Sequence, residues 1–362
     1  MRVIMAMSGG VDSSVAAALL LEQGYEVIGV TMQIWPSDLP YGTEVEGGCC
    51  SLGAVEDARG VANKLGIPYY VLNFQAPFRE IVIDYFVSEY LRGRTPNPCI
   101  VCNHSLKFSN LLEKAVALGG DYIATGHYVR KDHNPQNERW LLRKGIDITK
   151  DQSYVLYGLT QEQLSKSLFP LGNFSKDEIR RMARKIGLTV ADKPDSQEIC
   201  FVPDQDYGRF ISEYSPDSVQ PGEIVDTKGN YLGKHQGIIN YTIGQRKGLG
   251  IAAGSPLYVT EIRPDNAQVV VGTNNEVFSD GLSASNINLI AIDSINQPLS
   301  AEVKIRYTAK PVPATLKPTL ENTLEVIFDS PQRAVTPGQS VVFYQGDLVL
   351  GGGIIEYPIK NQ

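Results

Sequence analysis

The chain opens with a strand–loop–helix–strand alternation that constrains its fold more than any other feature. Residues 2–7 (RVIMAM) are a short apolar run, SGGVDSS follows, AAALLLEQG reads as a helix ending at Gly24, and Glu26–Met32 is a second apolar run. Two strands joined through a helix must lie parallel, so this pattern demands a sheet with helices packed on its faces. The rhythm continues. SLGAVEDARGVANKLG has helical periodicity, YYVLNF is strand-like, helices are expected near Pro77–Leu91 and Ser105–Leu118, and DYIATGH is strand-like again. The first fold expectation is therefore an α/β domain on a parallel sheet.

After about Arg130 the pattern changes. RWLLRK reads as a strand, whereas QSYVLYGL and SKDEIRRMARKIGL read as helices. The latter has Ser175 at the N-cap and Glu178 at the capping-box position. Beyond Pro203 short strands recur with Gly, Asp and Asn turns: GEIVDTKGNYLGKHQGI, PLYVTEI, NAQVVVGT, AEVKIRYTA, TLEVIFDS and QSVVFYQGDLVLGGGIIEY. Such spacing suits small β-barrels. Three domains are expected: residues 1–204, a small central β domain over 205–276, and a carboxy-terminal β-barrel over 277–362.

The loop Ser8-Gly9-Gly10-Val11-Asp12-Ser13-Ser14 lies where the first strand hands over to its helix. Glycines allow close backbone approach, and a helix amino terminus presents free N–H groups at its positive end. A phosphate fits there. The loop lacks the lysine of a Walker A motif and the G-x-G-x-x-G spacing of dinucleotide folds. The alternative is a Gly-rich turn with Ser/Asp caps and no ligand.

Five cysteines stand at 49, 50, 99, 102 and 200. An odd count without disulfide-like density points to a reducing, cytoplasmic setting, and no apolar stretch is long enough to span a membrane. Cys99 and Cys102 form a C-x-x-C within the turn-rich loop RGRTPNPCIVCN, half of a zinc site whose other half is missing: Cys49 and Cys50 are adjacent, and His127 and His133 follow a strand. Structural zinc, buried inert thiols and nucleophilic thiols all remain open for these side chains.

Charge carries a further message. The formal charge of the 362 residues is −7, which excludes a generally basic nucleic-acid coat. Residues 92–193, however, hold 17 basic and 10 acidic side chains, while both flanking segments are acidic. That basic segment contains C-x-x-C and RRMARK, so a local phosphate-contact surface is expected beside the thiols.

Taken in order, SGGVDSS, TPNPCIVCN, ATGHY (124–128), KDQSY (150–154), DKPDSQEICF (192–201), YTIGQRKGLG (241–250) and GGGIIE (351–356) span the chain. Together they resemble the bacterial tRNA-specific 2-thiouridylase family, within the PP-loop ATP pyrophosphatase superfamily. The resemblance implies an adenine nucleotide hydrolase-like PP-loop domain, a central β domain and a carboxy-terminal barrel. It implies ATP-dependent 2-thiolation of the wobble uridine of tRNAs for Lys, Glu and Gln, with Mg²⁺ expected and sulfur arriving from a cysteine desulfurase or relay protein. By the same resemblance Ala6, Met7, Ser8, Gly9, Gly10, Val11, Asp12, Ser13, Met32 and Gly126 hold ATP, with Asp12 also a candidate for positioning Mg²⁺. Asn97, Pro98 and Cys99 border the target base. Cys102 is the nucleophile and Cys200 the persulfide carrier, joined transiently in a disulfide. His127, Lys150, Asp151, Gln152, Arg306, Tyr307 and Gln339 contact tRNA. A loop at Asp192–Gln197 is expected to close over the site. Another PP-loop enzyme, such as a 2-thiocytidine synthetase, and a non-catalytic nucleotide- and RNA-binding protein are the alternatives.

Overall fold

The computed structural model describes residues 1–36, 52–195, 199–252, 254–319 and 322–360. Cys49, Cys50 and the end of the 192–197 loop lie outside them. By their contacts the described residues form two compact units: 1–83, 99–205 and 347–349 in the first, 84–98, 206–346 and 350–362 in the second.

The first unit holds five parallel strands, β1 (Arg2–Ala6), β2 (Glu26–Gln33), β3 (Tyr69–Asn73), β4 (Tyr122–Ala124) and β7 (Ser167–Leu168), in the order β3-β2-β1-β4-β7. β1 is central, and Val3, Ile4 and Met5 are fully buried, which is why its sequence is a continuous apolar run rather than an alternating one. Helix α1 (Val11–Glu22) follows it and is apolar nearly all round. It is enclosed by the sheet, by α2 (Leu52–Leu65) and by α3 (Lys176–Ile186), sharing a core with Val61, Ala62, Ile179 and Ala183. Strand order reverses beside β1, so the carboxyl ends of β1 and β4 flank a crevice of the kind in which open α/β sheets bind ligands.

A hairpin of β5 (Val129–Asn134) and β6 (Arg139–Lys144) completes this unit. Asp347 anchors there, accepting from Arg130 at 2.6 Å and Arg143 at 2.8 Å. The expected capping box of α3 forms in full, with Ser175 and Glu178 exchanging bonds. Two expectations shift. QSYVLYGL contains only a 3-10 turn at Ser153–Leu156. The second C-x-x-C cysteine does not lie in a loop: Pro98–Val101 is helical and runs into a π-helical stretch at Cys102–Asn110. Pro98 is the first residue of that helix, a position that proline favours because no N–H is needed there.

The second unit contains two β bodies. β8 (Gly222–Asp226), β9 (Tyr231–His235), β10 (Tyr258–Arg263) and β11 (Gln268–Gly272) make a sheet ordered β10-β11-β8-β9 over a core of Ile224, Val259, Val269 and Val271. β12 (Phe278–Leu289), β13 (Leu299–Lys304), β14 (Val312–Pro318), β15 (Thr323–Arg333), β16 (Ser340–Gln345) and β17 (Leu348–Ile359) run β12-β15-β14-β13-β16-β17, and pairing of β12 with β17 closes them into a barrel. Closure removes free sheet edges. The expected strand AEVKIRYTA ends at Lys304, so Arg306 and Tyr307 lie in the bend beyond it.

Arg94 ties the 84–98 segment to this unit. It donates to Glu89 at 2.7 Å and to Glu356 at 2.7 Å, and Glu89 is buried. Burial disfavours ionisation of Glu356, but hydrogen bonds from Arg94 and Ser285 more than offset it and hold the carboxyl below its usual range. Arg94→Met leaves Glu89 with the exposed Arg92 alone, and is expected to cost about 2 kcal/mol in chemical denaturation at pH 7. A depressed carboxylate stabilises above its unfolded value, about 4.3 for Glu, and loses that contribution as pH falls through the folded one. The deficit of the variant should therefore narrow between pH 7 and pH 3. A deficit that is absent at pH 7, or that grows in acid, would contradict this account.

Candidate functional site

Gly9 turns the chain out of β1 at φ +66°, and a Cβ there would lie 2.2 Å from the carbonyl oxygen of Ala54. Only glycine permits that approach. Gly10 then caps α1 without any side-chain bond to the first-turn amides. Those N–H groups keep the donor capacity and positive end that an anion would use. The serines brace the turn instead. Ser13 Oγ accepts from the Ser8 amide at 3.2 Å and donates to the Gly10 carbonyl at 3.2 Å, and Ser14 Oγ donates to the same carbonyl at 2.8 Å.

The ATGHY segment closes on the loop from β4. A Cβ on Gly126 would meet the Ser13 amide nitrogen at 2.8 Å and the Asp12 carbonyl carbon at 3.0 Å. Two residues on, Tyr128 Oη donates to Asp12 Oδ1 at 2.6 Å. Burial, then the charge of Asp12 and the bond to it, raise the phenol far above its ordinary value, so it remains a donor. Met32 is buried at the carboxyl end of β2, next to the strand that leads into the loop.

Asp12 is also held by a lysine that motif reading missed. Lys176 Nζ donates to both carboxylate oxygens at 2.8 Å and pairs with Asp195 at 2.7 Å. Asp195 in turn accepts from Lys150 at 2.7 Å and lies 3.4 Å from Arg180. Burial works against its ionisation, but the bonds from Lys150 and Lys176 more than offset that and hold it below the usual carboxylate range. A second missed lysine, Lys193, pairs with Asp57 at 2.7 Å and reaches the Gly9 carbonyl at 3.4 Å. Lys176 had been legible only as the residue after an N-cap, and its partner lies 164 positions away. The one available signal was the absence of a lysine from the loop itself.

Most of the other expected residues are bonded within their own units. Asp151 accepts from Gly145 and Ser153. Gln152 clasps the backbone of Tyr128, accepting its N–H at 3.0 Å and donating its own amide to its carbonyl at 3.2 Å. His127 is buried, bonded to Thr125 at 2.8 Å, and burial followed by the nearby Lys107 lowers its pKa well below the imidazole range. In the second unit Arg306 donates to the carbonyls of Arg333 and Ala334, Gln339 donates to Thr95 O at 2.7 Å, and Tyr307 is exposed with the Lys304 ammonium 5.6 Å from its ring centre.

Cys99 is an exposed thiol, and Cys102 and Cys200 are half-buried thiols. All three belong to the first unit, whereas Asn97 and Pro98 belong to the second. Phe201, next to Cys200, packs edge-on against Phe78 at 5.7 Å. The short helix Gln75–Phe78 in turn abuts the stretch that starts at Cys102. Among the described residues no group of three His, Cys, Asp or Glu side chains is gathered for a metal. Asp12 is no exception, since Lys176 and Tyr128 already occupy its oxygens. Among the described residues no Mg²⁺ site is therefore preassembled. Nor is any described helix long and apolar enough to cross a membrane.

Gly126→Ala is expected to destabilise the first unit by about 1–3 kcal/mol, because the added methyl meets backbone that cannot step aside. Gly60→Ala, where the methyl meets nothing within 4 Å on α2, should be neutral or stabilise by up to about 1 kcal/mol. Denaturant midpoints of the two variants against the parent check the pair. A Gly126 variant as stable as the Gly60 variant would contradict the close approach.

Comparison with known proteins finds three matching segments in the chain. Family models match residues 1–204 (tRNA methyl transferase HUP domain), 208–273 (tRNA methyl transferase PRC-barrel domain) and 279–355 (aminomethyltransferase beta-barrel domain). The tRNA-specific 2-thiouridylase MnmA of Acetivibrio thermocellus is 59% identical over 355 residues, covering 98% of this chain and 99% of its own. The tRNA-specific 2-thiouridylase MnmA 2 of Caldanaerobacter subterraneus is 58% identical, over 99% of both chains. Another from Clostridioides difficile is 55% identical, over 98% of both.

Proposed function

Since the chain belongs to the tRNA-specific 2-thiouridylase family, we propose that it thiolates C2 of the wobble uridine in tRNAs for Lys, Glu and Gln, using ATP. One observation within the chain supports this most: a single compact unit holds both an uncapped helix end built for phosphate and two half-buried thiols, Cys102 and Cys200.

The chemistry assigns each part a task. Uracil O2 attacks the α-phosphorus of ATP, the bond to pyrophosphate breaks, and the carbonyl oxygen becomes part of an adenylate. The loop from Ala6 to Ser13 holds the phosphates through backbone N–H groups at the start of α1, while Met32 and Gly126 border the adenosine. Asn97, Pro98 and Cys99 border the base. Cys200 carries a persulfide delivered by a cysteine desulfurase or relay protein. Its outer sulfur attacks C2 and AMP leaves with the former uracil oxygen. The Cys102 thiolate then attacks the inner sulfur, so the S–S bond breaks, 2-thiouridine is released and a Cys102–Cys200 disulfide remains for an external thiol to reduce. Mg²⁺ is assigned no ligands here, in keeping with the occupied Asp12 carboxylate.

For tRNA itself, Tyr307 is the assigned residue with a side chain best placed to meet RNA, by stacking, whereas the charge of Lys150 is paired with Asp195. His127 is buried, and Asp151, Gln152, Arg306 and Gln339 each bond within their own unit.

Incubation of the protein with ATP, a persulfide source and unmodified tRNA should yield AMP, pyrophosphate and 2-thiouridine, read by nucleoside mass spectrometry. Cys102→Ser and Cys200→Ser should each lower sulfur transfer at least ~100-fold, as loss of a covalent participant does. Thiolated cytidine in place of uridine would favour the 2-thiocytidine alternative. No AMP and no thiolated base would overturn the proposal, and full activity in either variant would overturn that cysteine's role.

A further inference from the structure

The phosphate loop carries no lysine of its own, yet a buried ammonium stands beside it. Lys176 is the first residue of α3, its backbone N–H donates to Asp147 at 3.0 Å, and its side chain is only 9% exposed. All three bonds of the ammonium go to carboxylate oxygens: two on Asp12, in the first turn of α1, and one on Asp195. A buried cation needs such partners, but a lysine serving only to dock α3 on α1 would need neither two carboxylates nor this position. The two acids are supplied with other donors as well, Asp12 with Tyr128, and Asp195 with Lys150 and Arg180. Removal of the ammonium from either therefore leaves it partnered.

Asp12 poses a problem that Lys176 solves. A carboxylate in the first turn competes with any anionic ligand for the positive end of the helix. Unneutralised, it would repel the phosphates that the uncapped amides are arranged to hold. We infer that Lys176 is the phosphate-binding lysine of this site: its ammonium keeps one bond to Asp12, cancelling that charge, and, when a nucleoside triphosphate enters, exchanges its other two carboxylate oxygens for oxygens of the β- and γ-phosphates. The exchange conserves the number of charge-assisted bonds to the ammonium, and lysine as a mobile point charge suits it. The inference rests on reading the loop as an ATP site.

The test compares two nucleotides on one variant. Calorimetric titration of Lys176→Met should show the Kd for ATP raised at least about tenfold, while that for AMP, which has no β- or γ-phosphate, changes less than about twofold. Thermal unfolding of the same sample monitors folding. Should the methionine variant not fold, Lys176→Gln, which can still donate to Asp12 but carries no charge, serves the same comparison with the same expectation. Equal weakening of ATP and AMP, or unchanged ATP binding, would overturn the assignment and leave Lys176 as a structural ion pair. A parent protein that binds neither nucleotide would overturn the nucleotide reading itself, and this assignment with it.

Discussion

Everything in the first unit converges on the carboxylate of Asp12. It lies in the first turn of a helix with no side-chain cap, at the point where the parallel sheet reverses its strand order. Two routes fix it. Through Tyr128 it is tied to the segment after β4 and, by the backbone clasp of Gln152, to the KDQSY motif. Through Lys176 and Asp195 it is tied to the same motif at Lys150 and to the stretch that leads toward Cys200. Motifs spread over nearly two hundred residues of sequence are thus one hydrogen-bonded assembly around one charge. The low local dielectric strengthens each of these pairs, and each acid has more than one donor, so the loss of one partner leaves none of them orphaned.

Much of this was legible beforehand. The apolar β1 run, the glycine turn and the alanine-rich helix predict a parallel sheet, because period and punctuation alone determine those elements. The Ser175–Glu178 capping box was readable because its partners are three residues apart. What could not be read were pairings made by the fold. Lys176 looks like an ordinary first-turn residue, and Asp195 like part of a turn. C-x-x-C looked like a loop because prolines and an asparagine precede it, yet Pro98 starts a helix rather than preventing one. Arg306 was assigned to a strand by its apolar neighbours, and the chain bends before it.

The charge pattern also changes meaning. The surplus of basic residues over 92–193 predicts an open phosphate-contact face, but several of these residues are held in ion pairs. Lys150, Lys176, Arg180 and Lys193 pair around the loop, Arg184 pairs with Asp192, and Arg130 and Arg143 pair with Asp347. Four of the seventeen basic side chains of this segment thus pair with acids around the loop, while others such as Arg181 and Lys185 are exposed.

The central claim is that ATP activates a uridine carbonyl which sulfur then displaces. Labelling tests it at the atom concerned. A tRNA whose wobble uridine carries ¹⁸O at O2 would be thiolated to completion with unlabelled ATP, and the products weighed by mass spectrometry. The account predicts one ¹⁸O in the phosphate of AMP for each 2-thiouridine formed. Label in pyrophosphate or in water, with unlabelled AMP, would contradict it.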